Sequence, residues 1–371
     1  MELNEANLGE LRDKLKKSLI FNLSLTSKEL FHSNLWAWLI ESADTEERKI
    51  QGIKIFFDKF VKTNGQIEVK REEKNLDLQI KCGDFIYVIE NKVKSIPSEE
   101  QLQKYSDKIS SNKVGIFLLT TLVKPDFDLP PNWSILSYAE IAERVELHNN
   151  DETDRYKKTL LDDYVLVLRS LDQLISFNGE CKKYNFYLNA SESLENHHIK
   201  LLEDLRISDI YVKRRTSELF ATIERKFKGQ VTGLKVEQWF SNKSGVITIY
   251  FKEENKFEIG IQIQRRQYRY YVKLFDEKLN ILDNGKVSDI PDNILDPLMK
   301  EGWFYEKPQD SLHTSMRKQF CSYLSKSENS IFVYQYKKLV PNATYESITN
   351  DVAEDIQKAD GILKRYKNLF C

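Results

Sequence analysis

The 371-residue chain reads as an α/β fold followed by an α+β one. Three observations predict this. A β-hairpin pattern spans residues 75–92, with apolar-rich halves on either side of Lys81-Cys82-Gly83-Asp84; Gly and Asp supply the conformations a tight joint needs. Val114 to Thr121 is a nearly unbroken apolar run, the pattern of a strand covered on both faces. Beyond residue 230, strand patterns follow one another through turn-like joints, as in an antiparallel meander. The first two observations place a mixed central sheet flanked by helices in residues 1–178. The third places an α+β domain with the meander in residues 179–371.

Hydrophobic residues make up 41% and aromatics 12%, enough for two cores and too many for a disordered chain. The net charge of −1 sets up no global field toward nucleic acid, so any such contact must come from local basic patches or a bound cation. Residues 1–17 are charged and carry no apolar signal-like core, and no run of about 18 apolar residues occurs that would predict a membrane span. Cys82, Cys181, Cys321 and Cys371 are scattered without CxxC spacing. That argues against a zinc site or disulfide framework and for a reducing cytoplasm.

Taken in order, Leu8, Leu11, Leu15 and Leu19 recur at helical spacing and predict a helix over residues 8–20. A second helix is expected from Thr26 or Ser27, either of which can cap its free N–H groups. Leu35, Trp38 and Leu39 form its core face, and Glu29, His32 and Ser33 cluster on one side of its first turns. Residues 50–61 predict another helix ending near Asn64-Gly65, and 66–72 a strand, where Glu68, Glu72 and Glu73 are spare carboxylates. Ser98 to Gln101 has capping-box spacing, and Gln101 and Tyr105 share a face of the helix it opens. Pro125, Pro130 and Pro131 punctuate a loop before a strand at Trp133–Leu136. Helices over Tyr138–Val145 and Glu152–Phe177 then close the domain at Asn178-Gly179.

In the second half, helical patterns over 194–228 give way to strands at Gly233–Phe240, Val246–Lys252, Phe257–Gln264 and Tyr268–Phe275. Helices are expected near 292–300, 311–325 and 344–366, with a strand at Ile331–Tyr336. The stretch from Ile261 to Lys273 holds four basic residues and three tyrosines without an acid. Cations neutralise phosphate and aromatic rings stack on bases, so Arg265, Arg266 and Arg269 are candidate nucleic-acid contacts. The competing reading is an ordinary exposed sheet face, where Arg and Tyr are also favoured.

The chemistry concentrates in the first hairpin. Side chains alternate along a strand, so Glu90 and Lys92 leave one face together, with Val88 and Ile86 behind them. Asp77 lies on the partner half. Two carboxylates can hold a hard divalent cation through oxygen, and an ammonium can position or polarise an attacking water. The plain alternative is a solvated surface ion pair worth under about 1 kcal/mol.

Asp77, then Glu90-Asn91-Lys92 after an apolar strand, resembles the D…(D/E)xK signature of the PD-(D/E)xK nuclease superfamily. The helix from Glu29 to Ile40, with Glu and His-Ser before an apolar run, resembles the leading helix of one bacterial branch. Gln101 to Tyr105 resembles its QxxxY helix. The resemblance covers roughly residues 20–175, with Leu76 in place of the signature's Pro. It implies a restriction-endonuclease-like sheet and a metal-dependent nuclease, in the first place a DNA endonuclease with a defence role against phage or foreign DNA. Asp77 and Glu90 would bind Mg²⁺, with Mn²⁺ as substitute and the Ile89 or Asn91 carbonyl as an extra ligand. Lys92 would act on water or phosphate, supported by Glu29 and Gln101. His32 and Tyr105 would contact substrate, although Glu29 could merely complement the helix dipole and His32 serve a structural hydrogen bond. Nucleic acid is the implied partner, and a homodimer is compatible with it. The rival from another class keeps the fold without catalysis, as a nucleic-acid-binding or partner-sensing module.

Overall fold

The computed structural model describes residues 5–24, 28–60, 66–93, 97, 99–109, 113–122, 125, 127–176, 200–227, 229–240, 244–253, 257–275, 292–304, 321–325, 330–340 and 343–370. By their contacts they form two units. The first takes the described residues up to Ser176 together with 200–214, and the second those from Arg215 onward. Residues 200–214 thus lie on the other side of the division from where a boundary at 178/179 puts them. No helix among the described residues is long and apolar enough to cross a membrane.

The first unit opens with α1 (Glu5–Lys17) and α2 (Leu19–Ser24), where one helix over 8–20 was expected. Ser18 makes the break. Its Oγ accepts the Phe21 N–H at 3.0 Å and donates to Asp163 Oδ2 at 3.0 Å, an oxygen that also accepts the Ile20 N–H. Helix α3 (Lys28–Glu41) follows; Thr26 and Ser27, its expected caps, lie outside the described residues. Helix α4 is Glu46–Lys54, capped by Thr45, whose Oγ1 accepts the Arg48 N–H at 3.2 Å. The helix expected over 50–61 is therefore displaced toward the N-terminus. Ile55, Phe56, Phe57 and Phe60 are buried in turns instead, with Phe57 and Phe60 packing on Tyr87 at ring separations of 5.0 and 4.9 Å. Tertiary packing holds a run that has no helix breaker within it.

A five-stranded sheet follows in the order β1 (Glu68–Arg71), β2 (Leu78–Cys82), β3 (Phe85–Lys92), β4 (Val114–Thr121), β5 (Trp133–Ser137). The first three strands are antiparallel neighbours, whereas β3–β4 and β4–β5 are parallel. Cys82 pairs with Phe85, so the hairpin loop is only Gly83-Asp84. Gly83 sits at φ +57°, a conformation that a residue with a Cβ adopts at a cost.

Helix α5 (Glu99–Ser106) covers one face of this sheet, where Leu102 joins Leu76, Val88, Phe117, Leu119 and Trp133 in a core. Ser98, the expected cap of α5, lies outside the described residues. Tyr87 faces the other way from Val88, toward Phe57 and Phe60. Helix α6 (Tyr138–Asn150) starts straight from β5 with a capping box between Ser137 and Glu140, and α7 (Arg155–Ser176) packs against it.

The second unit holds a six-stranded antiparallel sheet. Its strands are β6 (Leu234–Phe240), β7 (Gly245–Glu253), β8 (Phe257–Gln264), β9 (Gln267–Phe275), β10 (Cys321–Ser325) and β11 (Ser330–Lys338). β6 to β9 form the meander, β11 lies beside β9, and β10 takes the edge beyond it. Ile247, Ile249, Ile259, Ile261, Ile263 and Val272 are buried, and the last helix (Tyr345–Phe370) lies against β7 and β8. A helix over 311–325 was expected; residues 321–325 are β10, and 311–320 lie outside the described residues. The pairing Cys321↔Tyr334 through Ser325↔Ser330 makes 321–325 a strand.

Candidate active site

Strand alternation sets the site. Glu90 and Lys92 leave the α5 face of β3, and Lys92 Nζ lies 2.7 Å from Glu90 Oε1. Asp77 stands one residue before β2, past the last paired rung at Leu78↔Ile89. From there its Oδ2 accepts the Asn91 N–H at 2.7 Å, so the carboxylate replaces the next rung of the ladder. Asp77, Glu90 and Lys92, predicted together, are brought together.

The electrostatics are those of two carboxylates held close in a dry place. Glu90 is only 1% exposed; burial, then the Asp77 charge, raises its pKa to about 7 despite the Lys92 ammonium beside it. Burial also pushes Asp77 up, against the Asn91 N–H and the Lys92 charge, with Glu29 and Glu72 adding to the rise. For Lys92 burial works downward, but Glu90, with Glu29 and Asp77 behind it, carries the ammonium above the ordinary lysine value. Glu90 Oε2 is buried and has no hydrogen-bond partner.

Glu29 acts on all three groups electrostatically, and its backbone carbonyl accepts the Asn91 Nδ2–H at 2.7 Å. Gln101 Nε2 donates to the Tyr105 hydroxyl at 2.8 Å. Burial raises the Tyr105 pKa, followed by the Glu90 charge, so this hydroxyl lies within electrostatic reach of the carboxylates. His32 is placed elsewhere. It is 1% exposed, and its Nδ1 lies 2.8 Å from the Tyr164 hydroxyl, which also accepts the Trp36 indole N–H at 2.8 Å. That is the structural alternative for His32, not an exposed substrate contact. Ser33 is likewise buried and donates to the Glu29 carbonyl. Glu68 pairs with Lys70, and Glu73 with Lys70 and Lys81.

Sequence reasoning passed over the Asn91 side chain, which ties the site to three elements. It is fully buried, donates to α3, and its Oδ1 accepts from Thr120 Oγ1 at 3.1 Å and from the Tyr138 hydroxyl. The available signal was an amide inside an apolar strand, since a buried amide must find partners for both ends.

In the second unit Arg265 and Arg266 form the β8–β9 loop, Arg265 exposed at φ +54°. Arg269 donates to Gln262 and Gln267 and lies 4.7 Å above the Tyr334 ring. Tyr268, Tyr270 and Tyr271 are buried, with Tyr268 and Tyr271 donating to Asp355 and Glu258. Their rings are closed to base stacking, which removes the aromatic half of the expected contact.

A hairpin followed by two parallel strands, with paired carboxylates and a lysine at the end of β3, is the frame of a restriction-endonuclease-like fold. Residues 20–166 match the family model of the PD-(D/E)XK nuclease superfamily, and the first unit has the mixed α/β sheet of that fold. Members of that superfamily are generally nucleases and typically use divalent metal ions. No curated protein and no solved structure matches the chain.

Proposed function

We propose that the first unit hydrolyses phosphodiester bonds of DNA with Mg²⁺ held by Asp77 and Glu90. The observation that carries this reading is Glu90 Oε2, buried beside a second carboxylate and without a hydrogen-bond partner. Leaving such an acceptor unsatisfied costs about 1–3 kcal/mol, more for a charged group. A cation there would satisfy it and cancel the repulsion. Both donors are hard oxygens, which suit Mg²⁺ or Mn²⁺ rather than zinc.

Among the described residues no three His, Cys, Asp or Glu side chains group as a metal cage, so water and substrate oxygens would complete the shell. The Asn91 N–H points toward Asp77, and on an antiparallel strand a residue's carbonyl points the same way as its N–H. Ile89 points the same way but sits opposite Leu78 within the ladder, whereas Asn91 lies past the last rung, which favours the Asn91 carbonyl as a third protein donor. When bound, the ion supplies Lewis acidity and lowers the pKa of the attacking water. Lys92, resting on Glu90, orients that water or donates to the phosphate oxygen on which charge develops. Gln101 and Tyr105 orient the phosphate, and Glu29 supports the carboxylates. A role against phage or foreign DNA rests on the branch resemblance.

Two measurements test this. Titrating the parent with Mn²⁺ in a calorimeter should show binding that Asp77→Ala and Glu90→Ala each abolish, and the parent should cut DNA only with the ion present. Unchanged binding in both variants would sink the site. Binding without cleavage of any nucleic acid would leave a silent module on the same fold.

A further inference from the structure

We propose that Lys74 and Lys108 form a second anion site, which holds a backbone phosphate flanking the scissile one. The inference rests on the nuclease reading of Asp77, Glu90 and Lys92. It starts from the connection between β1 and β2. Glu72, Lys74 and Asn75 all have left-handed backbones, at φ +53°, +57° and +57°. Each costs on the order of 1 kcal/mol or more in a residue with a Cβ, and such conformations persist only where their surroundings enforce them.

The surroundings here are explicit. The Glu72 N–H donates to the Asp77 carbonyl at 3.2 Å, and Gln79 Nε2 to the Glu73 carbonyl at 2.7 Å. The Glu73 carboxylate is held by Lys70 at 3.2 Å and Lys81 at 2.5 Å. The strained loop therefore sets Lys74 in a fixed place three residues ahead of Asp77.

Lys108 completes the pair from the far end of α5. Its Nζ donates to the Lys74 carbonyl at 2.7 Å, while Lys74 Nζ reaches back to the Lys108 carbonyl at 3.5 Å. The same Lys108 ammonium lies 4.4 Å from the centre of the Tyr105 ring, whose hydroxyl is bound to Gln101. Neither lysine has an ion pair among the described residues. Of the neighbouring acids, Glu73 is directed to Lys70 and Lys81, and Asp107 to Gln103 Nε2 at 3.0 Å. An ammonium has three donors and one backbone bond uses only one of them. Two positioned cations without a counter-charge, joined through Tyr105 to the carboxylates, suit the repeating phosphates of a strand that continues past the cleavage point.

The test uses the full chain and a short labelled DNA duplex, with binding measured by anisotropy in Ca²⁺ and cleavage in Mg²⁺. For Lys74→Gln/Lys108→Gln the slope of log K against log salt should fall by about 0.9 per lysine. KM should rise several-fold with kcat held within about twofold. Lys74→Arg/Lys108→Arg should keep the parental slope. Lys113→Gln, which removes a cation paired with Asp84 at the other end of β3, should keep it as well. A parental slope and KM in the glutamine variant, from a parent that binds and cuts, would overturn this proposal alone. So would a collapse of kcat at unchanged KM, which would place the lysines in the chemical step or the fold. A parent that neither binds nor cuts nucleic acid would overturn the nuclease reading and this inference with it.

Discussion

At the scale of single residues, Glu90 decides how the site answers to pH. Its pKa rises from an ordinary 4.5 to about 7 on folding. Below about pH 4.5 both states are protonated and it contributes nothing to stability; as pH climbs toward 7, only the unfolded chain releases the proton. The metal-free protein should therefore lose stability, on the order of a few kcal/mol, across that window and none further above it. The same proton competes with the cation. Mn²⁺ affinity, measured calorimetrically, should weaken by up to about tenfold per unit as pH falls below about 7. An affinity flat from pH 5 to 8 would mean that Glu90 is not a ligand.

Lys92→Ala should remove cleavage while Mn²⁺ still binds at pH 8, because the cation itself counters the Glu90 charge that the ammonium countered. Arginine should not rescue fully, because a planar fork does not replace a compact ammonium. Full activity in Lys92→Ala would mean that the lysine has no part in the chemistry. Asp77, Glu90 and Lys92 were legible because a two-residue period and one tight turn fix them locally. Asn91 was not, since its partners at Glu29, Thr120 and Tyr138 come from 62, 29 and 47 residues away. His32 was readable only as a choice between two roles, and its burial against the Tyr164 hydroxyl fits the structural one.

At the scale of elements, the site is a meeting of β3 with α3, β4 and α6 through one amide. Asn91→Leu fills a similar volume but leaves the Glu29 carbonyl, the Thr120 hydroxyl and the Tyr138 hydroxyl each short of a bond. It should cost roughly 3 kcal/mol or more, read as a lower denaturant midpoint at unchanged slope. A loss below about 1 kcal/mol would show that water replaces the amide and that the junction is looser than its burial implies. Strands were the more legible elements. Val114–Thr121 and the meander carry their own pattern and turns, so no distant information was needed. The helix misplaced at 50–61 and the break at Ser18 depend on Tyr87 and Asp163, which the local sequence does not contain. Lys74 and Lys108 are neighbours only because a loop and a helix end meet in space, so no local pattern marks them as a pair.

At the scale of the whole molecule, every candidate catalytic group lies in the first unit, and among the described residues the second offers basic residues without such a constellation. We expect the second unit to select substrate, pair subunits or restrain the first. Changing Arg265, Arg266 and Arg269 together to Glu should weaken DNA binding, so that it persists only at lower salt, and flatten the salt slope, with Mn²⁺ binding intact. The structure refines that experiment. Arg269 is committed to Gln262, Gln267 and Tyr334, so its loss disturbs the sheet, whereas exposed Arg265 can be changed alone. If Arg265→Glu binds DNA like the parent at every salt concentration, the β8–β9 loop is not a contact. The second unit must then act by other surfaces.

Among the described residues, the six-stranded sheet ends on β6, a seven-residue strand with a neighbour on one side only. Such a border is a template for unwanted joining of one molecule to the next. Lys235 and Glu237 stand exposed along it, and a charge at every second position makes a second strand unwelcome. Half-exposed Trp239 sits just beyond them as the adhesive end of the same strand. Replacing Lys235 and Glu237 by Val should therefore show first as turbidity at high protein concentration rather than as lost activity.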